Sequence, residues 1–319
     1  MTDDSRPTSP LLRPLDFVFL LRPTALVPLW IFQLAGVRAA ADRTGVSLPF
    51  LGVTPSAVIG LCAMTLVLAG GYVLNQIVDR ESDRRNRKLF LIADGLVSTR
   101  AAWAEMSLIW IGAVLLSLGT SPAFRIVLAC SVALNVTYSA PPVRIKGRPF
   151  WDLVWNGLGF GVLGFAAGWS SVAAPELTLA PRALAYGLAV AGVIASTTIP
   201  DIEGDAHSGL RTTGVVLGAR RTSALALLLL VAAAAVGWYA RDPVGLFGPI
   251  LSLPLLLRAH TTGRRQHRVI ANQASVAAFA LLTGARAPLL FLLLGAAYFA
   301  SRGYYKARFG MAFPGRGTP

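Results

Sequence analysis

Asp79, Glu81 and Asp83 stand in the stretch "NQIVDRESDRRNRK", Asn75 to Lys88, directly after the apolar run "LCAMTLVLAGGYVL". Asn75, Asp79 and Asp83 are spaced four and four. On a helix each step of four turns the direction by about 40°, so the three side chains form a slanting row on one face. A second acidic stretch, "PDIEGDAHSGLRTTGVVLG", repeats the spacing with Asp201 and Asp205. Bases accompany both: Arg84 and Lys88 follow the first row, Arg144 and Lys146 lie in "YSAPPVRIKGRP", and Arg211 follows the second pair. Hard divalent cations such as Mg²⁺ take oxygen ligands and are commonly held by one or two carboxylates together with substrate phosphates. Two such pairs facing each other, flanked by bases, would clamp a diphosphate and stabilise it as it departs. Either cluster alone reads as solvated charge at a membrane edge; the two together, at one membrane face, do not.

The elements that must position these residues are membrane helices. The chain is 55% hydrophobic and only 14% charged, with a mean hydropathy of +0.61. Its apolar runs match the thickness of a bilayer, which one water-soluble core could not bury. Hydropathy and helix breakers predict spans at about 15–37, 56–78, 99–119, 122–138, 150–172, 181–200, 222–240 and 243–259, then a last apolar region over about 270–301. A polar tail over 1–14, a membrane domain over 15–301 and a basic tail over 302–319 are expected. The net charge of +14 is gathered between spans, mostly after the even-numbered ones. That is the positive-inside pattern, not a nucleic-acid footprint, and it puts the N-terminus and both acidic stretches in the cytoplasm. Cys62 and Cys130 fall within apolar runs and lack metal-ligand spacing.

The last region holds "TGARAP" near its middle, with Gly284, Arg286 and Pro288. A single kinked crossing is expected there; the alternative is a hairpin that turns back and returns Arg302, Lys306 and Arg308 to the cytoplasm. Arg286 either snorkels to an interface at the break or faces inward as an anion contact. Asn156, a polar group within the fifth span, either bonds across helices or lines a cavity.

The pattern "NQIVDRESD" resembles the first aspartate motif, N-x-x-x-D-x-x-x-D, of the UbiA-type intramembrane prenyltransferases, and "DIEGDAHSGLRTTGVVLG" resembles their second. "YSAPPVRIKGRP" is similar to the stretch those enzymes carry after the fourth helix, and "LRPTALVPLW" to their first helix, so the resemblance runs from about Leu21 to Tyr305. It implies an all-α polytopic bundle of about nine transmembrane helices around a central cavity, with the aspartate motifs at its cytoplasmic end. It implies Mg²⁺-dependent transfer of a polyprenyl group from a prenyl diphosphate to an aromatic or other lipophilic acceptor. Carried over residue by residue, Asp79, Asp83, Asp201 and Asp205 hold metal and diphosphate and Asn75 assists. Arg84, Lys88, Arg144, Lys146 and Arg211 contact the diphosphate, and Tyr138 and Ser139 line the reaction site.

Alternatives are a polyprenyl-phosphate pentosyltransferase of the same superfamily, or a membrane transporter using the acids for ions. The expected setting is a bacterial or archaeal cell membrane. The chain departs from the family after the first motif: "NRKLFLIADG", Asn86 to Gly95, lacks the prolines many members have there, and "KLFLI" reads as a more apolar lid over the cavity.

Overall fold

In the computed structural model, residues 9–49, 51–86, 89–207 and 209–314 are described, and among them no strand forms. The first crossing is broken. α1 (Leu15–Leu20) meets a 3₁₀ turn over Pro23–Leu26, then α2 (Val27–Thr44). Arg22 takes a left-handed conformation (φ 55°) just before Pro23, whose ring supplies no N–H to continue α1. α3 (Pro55–Asn86) follows, then a short α4 (Phe90–Ala93), α5 (Thr99–Ser117) and α6 (Pro122–Ser139). In the second half α7 (Trp151–Asn156) passes through a π-helical run, Gly157–Leu163, into α8 (Gly164–Ser170). Next come α9 (Leu179–Thr198), a 3₁₀ turn Ile199–Asp201 and α10 (Ile202–His207). The chain ends with α11 (Thr213–Tyr239), α12 (Pro243–Thr262), α13 (Arg265–Gly284) and α14 (Leu289–Phe309).

Helix starts follow local chemistry. Ser98 accepts from the Ala101 N–H at 3.2 Å, Ser121 from Phe124 at 3.1 Å, and Asp242 from Gly245 at 2.7 Å. Pro122 and Pro243 stand where a helix has no use for an N–H. Seven helical stretches among the described residues are long and apolar enough to span a bilayer. Leu108, Ile126, Leu228 and Trp238 stay exposed on α5, α6 and α11, as side chains facing lipid do and a water-facing helix would not allow. The protein is a multi-pass integral membrane protein.

Between helices, close approach of backbones replaces hydrophobic driving force. A Cβ added to Gly168 would lie 1.8 Å from the Gln33 carbonyl oxygen, and one on Gly36 would lie 2.0 Å from that of Phe165, so α2 and α8 touch backbone to backbone. Beside that contact the rings of Phe165 and Tyr186 stack at 4.7 Å, and Phe32 meets Phe279 edge-on at 5.5 Å.

The last apolar region is not one kinked crossing. It is a helical hairpin, α13 and α14, turning over Ala285–Pro288. Arg286 pairs with Asp42 at the far end of α2, and the Leu289 N–H donates to the Leu51 carbonyl at 3.3 Å. At its other end α14 brings Arg308 onto Asp16 of α1, with Nε to Oδ1 at 3.0 Å and Nη2 to Oδ2 at 2.9 Å; the Tyr304 hydroxyl adds a third bond at 2.8 Å. Asp16 and Arg308 are both buried. α14 therefore runs past residue 301 and returns Arg302, Lys306 and Arg308 to the end where the chain begins. The pull of Asp42 on Arg286 and the missing N–H of Pro288 account for the turn.

Of "KLFLI", Lys88 lies outside the described residues, and Leu89, Phe90, Leu91 and Ile92 do not line the main cavity expected beneath them. Phe90, Leu91 and Ile92 are buried in a separate cluster with Phe19, Tyr305 and Phe309, with Phe90 edge-on to Phe309 at 5.0 Å.

Candidate active site

A cavity of about 690 Å³ opens at the end of the bundle where α3 finishes and α10 begins. Most of its wall is apolar, with Phe32 from α2, Phe160 from the π-helical run, Val193 from α9 and Phe279 from α13. Its charged end brings together residues far apart in sequence: Asn75 and Asp79 of α3, Lys146 of the loop after α6, and Asp201 and Asp205 of the second acidic stretch. Tyr138 and Ser139, the last residues of α6, also line it. The Asn75 Nδ2 donates to Ser139 Oγ at 3.3 Å, which ties the first motif to the end of α6.

Asp79 is buried between two cations. It is 9% exposed, and its two oxygens each meet a cation: Arg144 Nη2 lies 3.1 Å from Oδ1, and Lys146 Nζ bonds Oδ2. Burial pushes the Lys146 ammonium below its ordinary value, and Asp79 opposes that shift. The loop reaches Asp79 at some conformational cost. Arg144 (φ 38°) and Phe150 (φ 67°) both occupy the left-handed region, which costs a non-glycine residue about 1–2 kcal/mol.

Asp205 of the second pair is held by its own loop. The Thr212 hydroxyl donates to Asp205 Oδ2 at 3.1 Å, and the Leu210 N–H to the Asp205 carbonyl at 2.9 Å. Asn156 does both things expected of it. It lines the cavity, and its Nδ2 donates across helices to the Tyr138 hydroxyl at 3.4 Å. Among the described residues no three acids or other metal-ligating side chains converge closely enough to hold an ion by themselves.

Several expected residues lie elsewhere. Asp83 is half-buried on α3 but off the cavity wall, because two steps of four rotate it about 80° from Asn75. Arg84 lines a different recess with Arg80, Asp94 and Thr99. Arg211 is exposed on the loop before α11 and does not line the cavity. Lys88 lies outside the described residues. Conversely, Arg22 was missed. It lines the cavity, with its guanidinium 5.0 Å from the centre of the Tyr72 ring. A base at the break before Pro23 was the available signal.

The sequence pattern of the UbiA prenyltransferase family matches residues 29–274, more than three-quarters of the chain. The chain belongs to the UbiA prenyltransferase family. Among individual relatives, a digeranylgeranylglyceryl phosphate synthase of Halobacterium salinarum is 31% identical over 242 residues, 70% of this chain and 82% of that protein. A lycopene elongase/hydratase of Haloarcula japonica is 33% identical over 159 residues, 47% of this chain and 51% of that protein, so this match spans only about half of the relative. The fold agrees with a solved UbiA homolog from Archaeoglobus fulgidus bound to GPP and Mg²⁺, at a TM-score of 0.63 and 22% identity over 88% of this chain and 99% of that one.

Proposed function

We propose that this chain transfers a prenyl group from a prenyl diphosphate to a lipophilic acceptor within the bilayer, with Asp79, Asp201 and Asp205 holding Mg²⁺ and the diphosphate. One observation carries the reading: acids from two distant segments and the partly buried Lys146 share the charged end of one cavity whose remaining wall is largely apolar. Such a cavity suits a substrate with an ionic head and a hydrocarbon tail.

The donor set fits Mg²⁺. The groups offered at the cavity by Asp79, Asp201 and Asp205 are carboxylate oxygens, the hard donors Mg²⁺ takes, and this ion commonly completes its shell from substrate phosphates and water. Bound Mg²⁺ would neutralise charge on the departing diphosphate. Lys146 and Arg144, now paired with Asp79, are the donors assigned to the diphosphate oxygens. Asn75 and Ser139 hold the first motif against α6. The Tyr138 ring presents a π-face to an allylic cation formed as the C–O bond breaks, and the apolar wall keeps water away until the acceptor carbon attacks. Asp83, off the cavity wall, receives no direct substrate contact in this reading. Arg84 and Arg211 receive no direct contact in this reading.

The acidic end is assigned to the cytoplasm of a bacterial or archaeal cell. The bases gathered at that end, now joined by those of α14, support this orientation. The transporter alternative is not favoured, because transporters set their ionisable residues near the bilayer midplane and these acids gather at one end.

The test is mass spectrometry of products from purified protein in liposomes, offered several prenyl diphosphates with aromatic, isoprenoid and glycerol-phosphate acceptors. Mg²⁺-dependent prenylation of at least one acceptor is expected; no consumption of any donor across the panel would overturn the proposal.

A further inference from the structure

We infer that Asp152 is a positioning residue that locks the two charged halves of the site together. The inference rests on the proposed roles of Lys146 and Asp205. Asp152 lies in the first turn of α7, is 4% exposed and does not line the cavity. Its Oδ2 accepts the Thr213 N–H at 2.9 Å, and its Oδ1 accepts both the Thr213 hydroxyl and the Leu153 N–H, the latter at 3.0 Å. Thr213 is fully buried, and its hydroxyl oxygen in turn accepts the Phe150 N–H at 2.7 Å.

This one carboxylate therefore orders two loops. Toward the first, Phe150 ends the segment that carries Arg144 and Lys146, and its left-handed backbone is held by the bond to Thr213. Toward the second, Thr213 opens α11, where a first-turn N–H has no acceptor within its own helix; Asp152 supplies one from another helix. The adjacent Thr212 then holds Asp205. The first turn of α11 also rests directly on the second acidic segment, since a Cβ added to Gly214 would lie 3.0 Å from Ile202 Cγ1 and 3.2 Å from Thr198 Oγ1. Asp152 thus reaches Lys146 through Phe150 and Asp205 through Thr212, without touching substrate itself.

Three full-length variants test this. Asp152→Asn puts a donor where Thr213 needs an acceptor, Thr213→Val removes the bridging hydroxyl, and Thr213→Ser keeps it. Two readouts are taken in detergent: Mn²⁺ binding in the presence of geranyl thiodiphosphate, followed by electron paramagnetic resonance, and hydrogen exchange across residues 201–213. Asp152→Asn and Thr213→Val are expected to weaken Mn²⁺ binding by about ten-fold or more, the usual effect of losing a partner that orients a metal ligand. They should speed exchange in this segment while leaving α5, α9 and α12 protected, and Thr213→Ser should match the wild type on both counts. Wild-type Mn²⁺ binding in Thr213→Val, or faster exchange spread over every helix, would overturn the positioning role. Failure of the functional reading looks different: Asp79→Asn and Asp201→Asn would then bind Mn²⁺ and thiodiphosphate normally.

Discussion

Lys146 and Arg144 both pair with Asp79, and the structure predicts that they are unequal. The Lys146 side chain is 13% exposed and that of Arg144 43% exposed, against a carboxylate at 11%. Charges about 3–4 Å apart attract by about 4–5 kcal/mol at an effective dielectric of about 20, but only about 1 kcal/mol in bulk water. The same contrast applies to a diphosphate oxygen that replaces Asp79 as the partner. Removing a preorganised, water-shielded donor to developing charge costs about 2.7–4 kcal/mol, or 10²–10³ in rate. Lys146→Ala should therefore lower kcat/KM for the prenyl diphosphate by about that factor, with Lys146→Arg recovering part of it through retained charge. Arg144→Ala removes a contact open to solvent, where a pair contributes about 0–1 kcal/mol, so its loss should stay within about ten-fold. The assay is initial rate in liposomes at saturating Mg²⁺ and acceptor, with the donor varied. An Arg144→Ala loss equal to or greater than that of Lys146→Ala would refute the reasoning, because exposure would then not govern the strength of these contacts.

Other outcomes follow from the same geometry. Asp83→Asn should cost far less activity than Asp79→Asn, since Asp83 is off the cavity wall; equal losses in kcat/KM would place Asp83 at the substrate after all. With Cys62 and Cys130 replaced by Ala, Lys306→Cys and Glu203→Cys should react with an impermeant maleimide from the same side of the membrane. Labelling from opposite sides would contradict the α13–α14 hairpin. Arg308→Met strands a buried Asp16 and should cost about 3–5 kcal/mol of stability, most of it regained in the double variant with Asp16→Asn. Thermal denaturation in detergent checks this, and equal melting points for the single and double variants would deny the pairing.

What the sequence made legible was periodic or chemically singular. Apolar runs announced most of the spans, and the two acidic stretches announced the charged end, where Asp79, Asp201, Asp205 and Lys146 line one cavity. Direction was harder. Asp83 and Arg84 shared the charged stretch with Asp79, but helix rotation turned both off the wall, Arg84 into another recess, and a linear reading assigns no partner to a rotated side chain. The hairpin at Gly284–Pro288 depended on Asp42 catching Arg286 across 244 residues of chain. "KLFLI" looked like a lid because its partners, Tyr305 and Phe309, lay in a segment that read as a tail. Asp152 gave no signal at all, since a lone acid beside two tryptophans has a role only when Thr213 is folded against it.

The central claim is that two separated acidic segments grip one diphosphate through Mg²⁺. Calorimetric titration of geranyl thiodiphosphate into the full-length protein, with and without Mg²⁺, tests it most directly when wild type, Asp79→Asn and Asp201→Asn are compared. The account predicts Mg²⁺-dependent binding in the wild type that is lost in both variants. Binding that needs no Mg²⁺, or that survives intact in either variant, would contradict it.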